Sequence, residues 1–166
     1  LLTPSGAPNA YYVEQGWVAG DGTAVPTAST VWSIEGNDKL TPATPVVLRW
    51  DNGAGLIFRR TFAVDEDYLF TVTQSVENTS GQAATLFPFS RTAREGTPHV
   101  ANFFVQHESP LGVLGSNNYV ARKYHDIEND KQVDIASTTG WLGITDKYWA
   151  TAVLPKACTN INARFA

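Results

Sequence analysis

The chain has 166 residues, which is long enough for one domain with its own core. Its residues are 43% hydrophobic and 17% charged, a composition that is ordinary for a folded domain. The net charge is −4 and the few basic residues are scattered, so nucleic acid is excluded as an expected partner. The single cysteine, Cys158, excludes an intrachain disulfide. The chain contains no methionine, so we expect it to be a piece of a longer protein.

The first half of the chain predicts short strands separated by turns. The clearest hairpin has Asp51-Asn52-Gly53-Ala54-Gly55 as the turn between two apolar runs. From Tyr68 to Val76, apolar and polar residues alternate over nine positions, which is typical of a half-buried antiparallel strand. Strands are predicted at 11–19, 46–50, 56–64, 68–76 and 83–89, with turns at 20–22, 51–55, 65–67 and 78–81.

The second half predicts further short strands at 100–107, 112–114, 119–124 and 133–136. Its most informative stretch runs from Gly140 to Pro155 and predicts two strands joined by the polar Thr145-Asp146-Lys147. Both faces of the second strand, Tyr148–Leu154, are largely apolar, so we expect a central strand that is covered on both sides. Pro155 ends it, because proline cannot donate to a ladder.

The pattern as a whole predicts an all-β fold, a large antiparallel β-sandwich with ten to twelve strands. No segment keeps a 3.6-residue period over ten positions, and no linker divides the chain, so residues 1–166 are predicted to form a single domain. All five tryptophans lie in apolar strand contexts, which favours core packing over the stacking of sugar rings: Trp17, Trp32, Trp50, Trp141 and Trp149.

Two features could carry acid–base or thiol chemistry. The neighbours His107 and Glu108 suggest proton transfer, but adjacent residues on a strand point to opposite faces and would not converge on one substrate. His99 and His125 could join them only through the fold, and surface histidines are the favoured interpretation. Cys158 has no histidine or acid near it in the sequence, so we interpret it as a bystander.

Two acidic clusters could bind a hard cation. Asp65-Glu66-Asp67 could supply oxygen ligands, although three acids between two strands are more often a solvated turn. The acidic run at 126, 128, 130 and 134 lacks the spacing and the glycine of a calcium loop. We therefore predict no metal, no cofactor and no catalytic residue.

A family resemblance rests on motifs that occur in one order along the chain. Gly140-Trp141 is followed by Tyr148-Trp149-Ala-Thr-Ala-Val-Leu-Pro155, and upstream Thr61-Phe62 and Asp67-Tyr68 precede a strand that closes on Asn78. The stretch from His107 to Val113 also matches, with Ser109 where the family has glycine. This pattern resembles the periplasmic domain of the YidC membrane-protein insertases (the YidC/Oxa/Alb group). The matching residues, taken as structural, are Thr61, Phe62, Asp67, Tyr68, Asn78, Gly112, Tyr124, Gly140, Trp141, Tyr148, Trp149 and Pro155.

The resemblance implies a β-supersandwich related in fold to galactose mutarotase. It implies a bacterial inner-membrane protein with this domain facing the periplasm, which inserts and folds membrane proteins alone or with the Sec translocon. The domain would be monomeric and non-enzymatic, without a cofactor, and would contact nascent inner-membrane proteins or Sec components through a groove or sheet edge. We expect the fragment to lack pieces of the native domain at both ends.

Two alternatives stay open at this point. A carbohydrate-binding or aldose-epimerase-like sandwich shares the fold, and fold does not fix function. It requires a carboxylate and histidines that converge in one cleft, such as two of His99, His107 and His125 with Glu108 or Glu77. The other alternative is a secreted sandwich of another role.

Overall fold

The computed structural model describes residues 2–20, 22–98, 107–116, 118–130 and 132–166. These residues form twelve strands and one short helix, which confirms the predicted all-β, antiparallel sandwich class. The strands are β1 Tyr11–Ala19, β2 Ser33–Glu35, β3 Val46–Asp51, β4 Leu56–Val64, β5 Phe70–Asn78, β6 Leu86–Arg94, β7 Pro110–Leu114, β8 Asn118–Ala121, β9 Val133–Ser137, β10 Gly140–Thr145, β11 Ala150–Val153 and β12 Ile161–Phe165; helix α1 is Tyr124–Asp130.

The chain divides into two compact units. The central unit comprises residues 15–89, and the terminal unit comprises residues 1–14 and 90–166. The divisions fall inside β1 and inside β6, which pair with each other. The predicted single domain over 1–166 stays a prediction.

The central unit contains a four-stranded sheet in the order β2-β3-β4-β5. Its β3–β4 hairpin confirms the turn predicted at 51–55, and Trp50 pairs with Phe58 across it. The Asn52 side-chain oxygen accepts hydrogen bonds from the N–H groups of Ala54 (2.8 Å) and Leu56 (3.0 Å). This Asx-type capping is the physical reason that asparagine favours turns.

An aromatic cluster forms the core of the central unit. Phe58 is fully buried, and its ring centroid lies 5.1 Å from that of Trp17 and 5.6 Å from that of Trp50. The Arg60 guanidinium lies 5.0 Å from the Trp32 ring centroid, within the range of a cation–π contact. Core packing is thus confirmed for these three tryptophans.

The terminal unit contains a four-stranded sheet in the order β11-β10-β7-β8 and a two-stranded sheet of β9 and β12. Its buried core is formed by Leu114, Ala163 and Phe165. Trp141 on β10 is half-buried and pairs with Val113 on β7.

The strand predicted at 119–124 is wrong at its C-terminal end. Strand β8 stops at Ala121, and Tyr124 begins α1 instead. The N–H groups of Asp126 (3.0 Å) and Ile127 (3.2 Å) donate to the Lys123 carbonyl, and an acidic residue in the first turn complements the helix dipole. The predicted strand at 83–89 begins later and runs on to Arg94, while the one predicted at 100–107 falls mostly outside the described residues.

The prediction of a central, doubly covered strand at 148–154 is also wrong. In the described part of the chain, β11 is the outermost strand of its sheet and begins only at Ala150. Tyr148 is 77% exposed and Trp149 is 62% exposed, so neither packs in a core. The reason is local, because the Asp146 N–H donates to the Trp149 carbonyl at 2.7 Å and makes both aromatics part of the turn.

Candidate functional site

The first candidate surface is the tip of the β10–β11 hairpin, residues Asp146 to Trp149, which we call the hairpin tip. The register pairs Thr145 with Ala150, so the four residues between them form the turn. Both aromatic side chains face solvent, and the Lys147 ammonium lies 5.2 Å from the Tyr148 ring centroid. The tip therefore displays two amphipathic rings and a cation.

Side chains of β1 and β6 contact the base of the hairpin tip and stabilise it. The Arg94 guanidinium on β6 pairs with the Asp146 carboxylate, and both side chains are largely buried. Arg94 also lies 5.3 Å from the ring centroid of Tyr11, whose hydroxyl donates to the Ile144 carbonyl at 3.2 Å. These contacts fix the base of the turn while leaving its aromatics exposed.

Burial governs the electrostatics beneath the tip. It raises the pKa of Tyr11 and the pKa of Tyr124, so both phenols stay neutral at physiological pH. Burial opposes the charge of Arg94, but the hydrogen bond and the attraction to Asp146 outweigh it and raise the pKa of Arg94. The Arg94 guanidinium therefore stays protonated and positively charged.

The second candidate surface lies in the central unit, at the turn between β4 and β5. Tyr68 has a left-handed backbone (φ 62°) and is 82% exposed. Asp65 stabilises the turn, because its side-chain oxygen accepts from the N–H groups of Asp67 and Leu69, both at 2.9 Å. The acidic stretch at 65–67 is thus a capped turn, as the solvated-turn interpretation held.

A groove of about 440 Å³ lies beside this turn. Exposed Tyr68 and Phe70 form part of its wall, and Asp65 and Glu66 make its lining acidic. We call it the β4–β5 groove; its lining residues are Leu40, Thr41, Pro42, Val64, Asp65, Glu66, Tyr68 and Phe70. A concave surface with exposed apolar side chains can bind an apolar segment of another chain.

Comparison of the sequence with known protein families identifies the family of this chain. The family model described as the YidC periplasmic domain matches residues 1–166, the whole chain. The chain belongs to the YidC periplasmic domain family. The resemblance drawn from the motifs is thereby confirmed.

Relatives of this chain include several with the name Membrane protein insertase YidC. The protein from Nitrobacter hamburgensis is 48% identical over 168 residues, which cover 100% of this chain and 28% of the relative. The protein from Bradyrhizobium diazoefficiens is 46% identical, covering 100% of this chain and 27% of its own length. The protein from Dinoroseobacter shibae is 45% identical over 93% of this chain and 27% of its own length. The chain thus spans little more than a quarter of these relatives.

The YidC family match gives no support to the sugar-binding alternative, and the described histidines are engaged elsewhere. The ring nitrogens of His107 face the hydroxyls of Thr145 (3.1 Å) and Ser109 (3.0 Å), and His125 contacts its neighbour Asp126. His99 lies outside the described residues. Within the described ranges, no group of three His, Cys, Asp or Glu side chains could hold a metal, and no helix has the length and apolarity to cross a bilayer.

Some of the family-signature residues of this chain lie on the two candidate surfaces, and the others do not. Tyr68, Tyr148 and Trp149 are exposed on the two candidate surfaces. The rest lie in or beside other elements, and their structural role stays a prediction: Thr61 and Phe62 in β4, Asp67 in the β4–β5 turn, Asn78 at the end of β5, Gly112 in β7, Tyr124 at the start of α1, Gly140 and Trp141 in β10, and Pro155 after β11.

Sequence patterns missed the residues that complete each surface. Arg94 and Asp146 are 52 positions apart, and nothing in either neighbourhood marks them as partners. Leu40 and Pro42 line the groove from a stretch in which the sequence predicted no strand. The sequence offered one signal for these surfaces, the apolar and aromatic residues at 68–70 and 148–149. We interpreted them as parts of buried or half-buried strands.

Proposed function

We propose that the chain is the periplasmic domain of a membrane protein insertase in the bacterial inner membrane. The domain faces the periplasm, has no enzymatic activity or cofactor of its own, and assists the insertion and folding of membrane proteins. Support comes from the family match over residues 1–166 and from the name that its relatives share. In this proposal residues 1–166 act as a single domain and the domain is monomeric.

The observation that carries the domain's role is the exposed apolar wall of the β4–β5 groove. Tyr68 and Phe70 stay in water in the isolated chain, although burying one side chain of that size contributes about 1.5–3 kcal/mol. A nascent inner-membrane protein has apolar segments that offer this burial before they reach the bilayer. The groove would receive such a segment, and Sec translocon components would be a second class of partner.

The acidic lining of the groove adds a preference among substrates. Asp65 and Glu66 favour segments flanked by Lys or Arg over segments flanked by acids. Since the cost of ordering a bound segment offsets much of the apolar gain, we expect weak and reversible binding, as a transient chaperone contact requires.

A binding experiment with the 166-residue chain tests this role. A fluorescent peptide with a short apolar segment and lysine flanks should bind, and Tyr68→Ser combined with Phe70→Ser should weaken binding about tenfold. Phe87→Ser is the matched control, because Phe87 is as exposed as Phe70 and does not line the groove. Equal affinity of the double variant and the control would contradict the groove as the binding surface.

A further inference from the structure

We infer that the hairpin tip is a docking site for the interfacial region of a phospholipid bilayer that carries anionic headgroups. The site consists of Lys147, Tyr148 and Trp149 at the end of the β10–β11 hairpin. It is separate from the peptide-binding role proposed for the β4–β5 groove, and its test does not depend on that role.

The chemistry of the tip is that of the membrane interface. Tyr and Trp are enriched at the headgroup level because an apolar ring inserts among the acyl chains while the O–H or N–H group remains hydrated. Lys147 adds a cation that can reach the headgroups, and its ammonium lies over the Tyr148 ring. Two exposed rings and one cation in three successive residues match this environment.

Charge complementarity favours a bilayer with anionic headgroups over a neutral one. The chain carries a net charge of −4, yet residues 147–149 at the tip contain Lys147 and no acid. The nearest acid, Asp146, has its charge balanced by Arg94. An approaching anionic surface therefore meets the Lys147 ammonium at this end of the hairpin, and a lysine near such a surface attracts it.

The hairpin tip is also pre-organised for docking. The ion pair between Arg94 and Asp146 and the bond from Asp146 to the Trp149 carbonyl hold the turn in one shape. The rings are thus presented without an ordering step, which lowers the entropic cost of binding. Core packing cannot explain the rings, because both lie mainly in water.

The test uses the 166-residue chain and vesicles of phosphatidylethanolamine and phosphatidylglycerol with brominated acyl chains. Bromine quenches tryptophan that enters the acyl region, and comparison with Trp149→Phe isolates the contribution of Trp149 from the other four tryptophans. We expect quenching in the unsubstituted chain, none in Trp149→Phe, and retained vesicle flotation in that conservative variant. Flotation should fall at least about tenfold in Tyr148→Ser combined with Trp149→Ser, and remain unchanged in Phe87→Ser.

The charge arm of the test uses Lys147→Gln, which should reduce the preference for anionic vesicles over phosphatidylcholine vesicles. Near-ultraviolet circular dichroism of each variant must match that of the unsubstituted chain. Three outcomes would overturn the inference: no quenching of Trp149, equal flotation of the double serine variant and the control, or tip-dependent self-association of the chain without vesicles. The last result would assign the tip to a second copy of this chain instead.

Discussion

Arg94 on β6 pairs with Asp146 at the base of the β10–β11 turn, 52 positions later in the chain. The pair joins β6 to the hairpin that displays the exposed aromatics. The Arg94 guanidinium also lies over the ring of Tyr11 on β1. Removing either charge would leave the other largely buried without a partner. The pair therefore determines how firmly the hairpin tip is held.

Arg94→Met should destabilise the chain by about 1–3 kcal/mol, because a largely buried carboxylate loses its partner. Chemical unfolding of the 166-residue chain measures this change. Arg164→Met is the matched control, because Arg164 and Asp134 form an ion pair that is more than half exposed on both sides. Solvent screens such an exposed pair, so its loss should cost much less than the loss of the Arg94 pair, and equal losses in the two variants would contradict the structural role of Arg94.

Phe58→Ala should cost about 3–5 kcal/mol, because it leaves a cavity beside Trp17 and Trp50 in the core of the central unit. Thermal and urea unfolding would report the loss. The exposed Phe87→Ala should stay within about 0.5 kcal/mol of the unsubstituted chain. If the two phenylalanine variants were equally stable, the aromatic cluster would not be the core.

Gly140→Ala should destabilise the chain by several kcal/mol. Gly140 has φ 128°, and a Cβ there would collide with the Val113 carbonyl on the neighbouring strand. Gly53 provides a control with positive φ (71°) and open space around a Cβ, so Gly53→Ala should cost only about 1 kcal/mol. A Gly140 variant no less stable than the Gly53 variant would show that the close approach of β7 and β10 is wrong.

Glu35 should titrate below its ordinary pKa of 4.5, because it accepts a hydrogen bond from Arg59. A lowered folded-state pKa means that this contribution to stability is complete above pH 4.5 and is lost as the pH falls through the lower value. Carbon NMR of the carboxylate measures the midpoint, and Arg59→Gln should raise it. Arg164→Gln should leave Glu35 unchanged and raise the pKa of Asp134 instead, which Arg164 holds low.

The sequence predicted the fold best where local pattern and turn chemistry agree. The predicted bounds of β1, Tyr11–Ala19, and β4, Leu56–Val64, match the structure. The Asn52 turn lies directly before β4 and its side chain accepts from the Leu56 N–H, so local turn chemistry marks where this strand begins. The family was also predictable, because several of its motifs occur in the expected order along the chain.

The hairpin tip was not predictable from its composition. Apolar residues at 148 and 149 are equally compatible with a buried strand and with an exposed turn, and only the Asp146–Trp149 hydrogen bond decides between them. The partner that holds Asp146 lies on a strand far away in sequence. Exposure of large aromatics depends on such long-range contacts, which a pattern of hydrophobicity does not encode.

Site-specific photocrosslinking tests whether the β4–β5 groove contacts emerging membrane proteins, as proposed. A photoreactive residue replaces Tyr68 in the proposed full-length insertase, in membranes that synthesise a labelled inner-membrane protein. The matched position is Ala83, which is exposed in the same unit and does not line the groove. We expect a crosslink to the nascent chain from position 68, weakened by Phe70→Ser, and none above background from position 83. Equal crosslinking from both positions, or none from position 68, would contradict it.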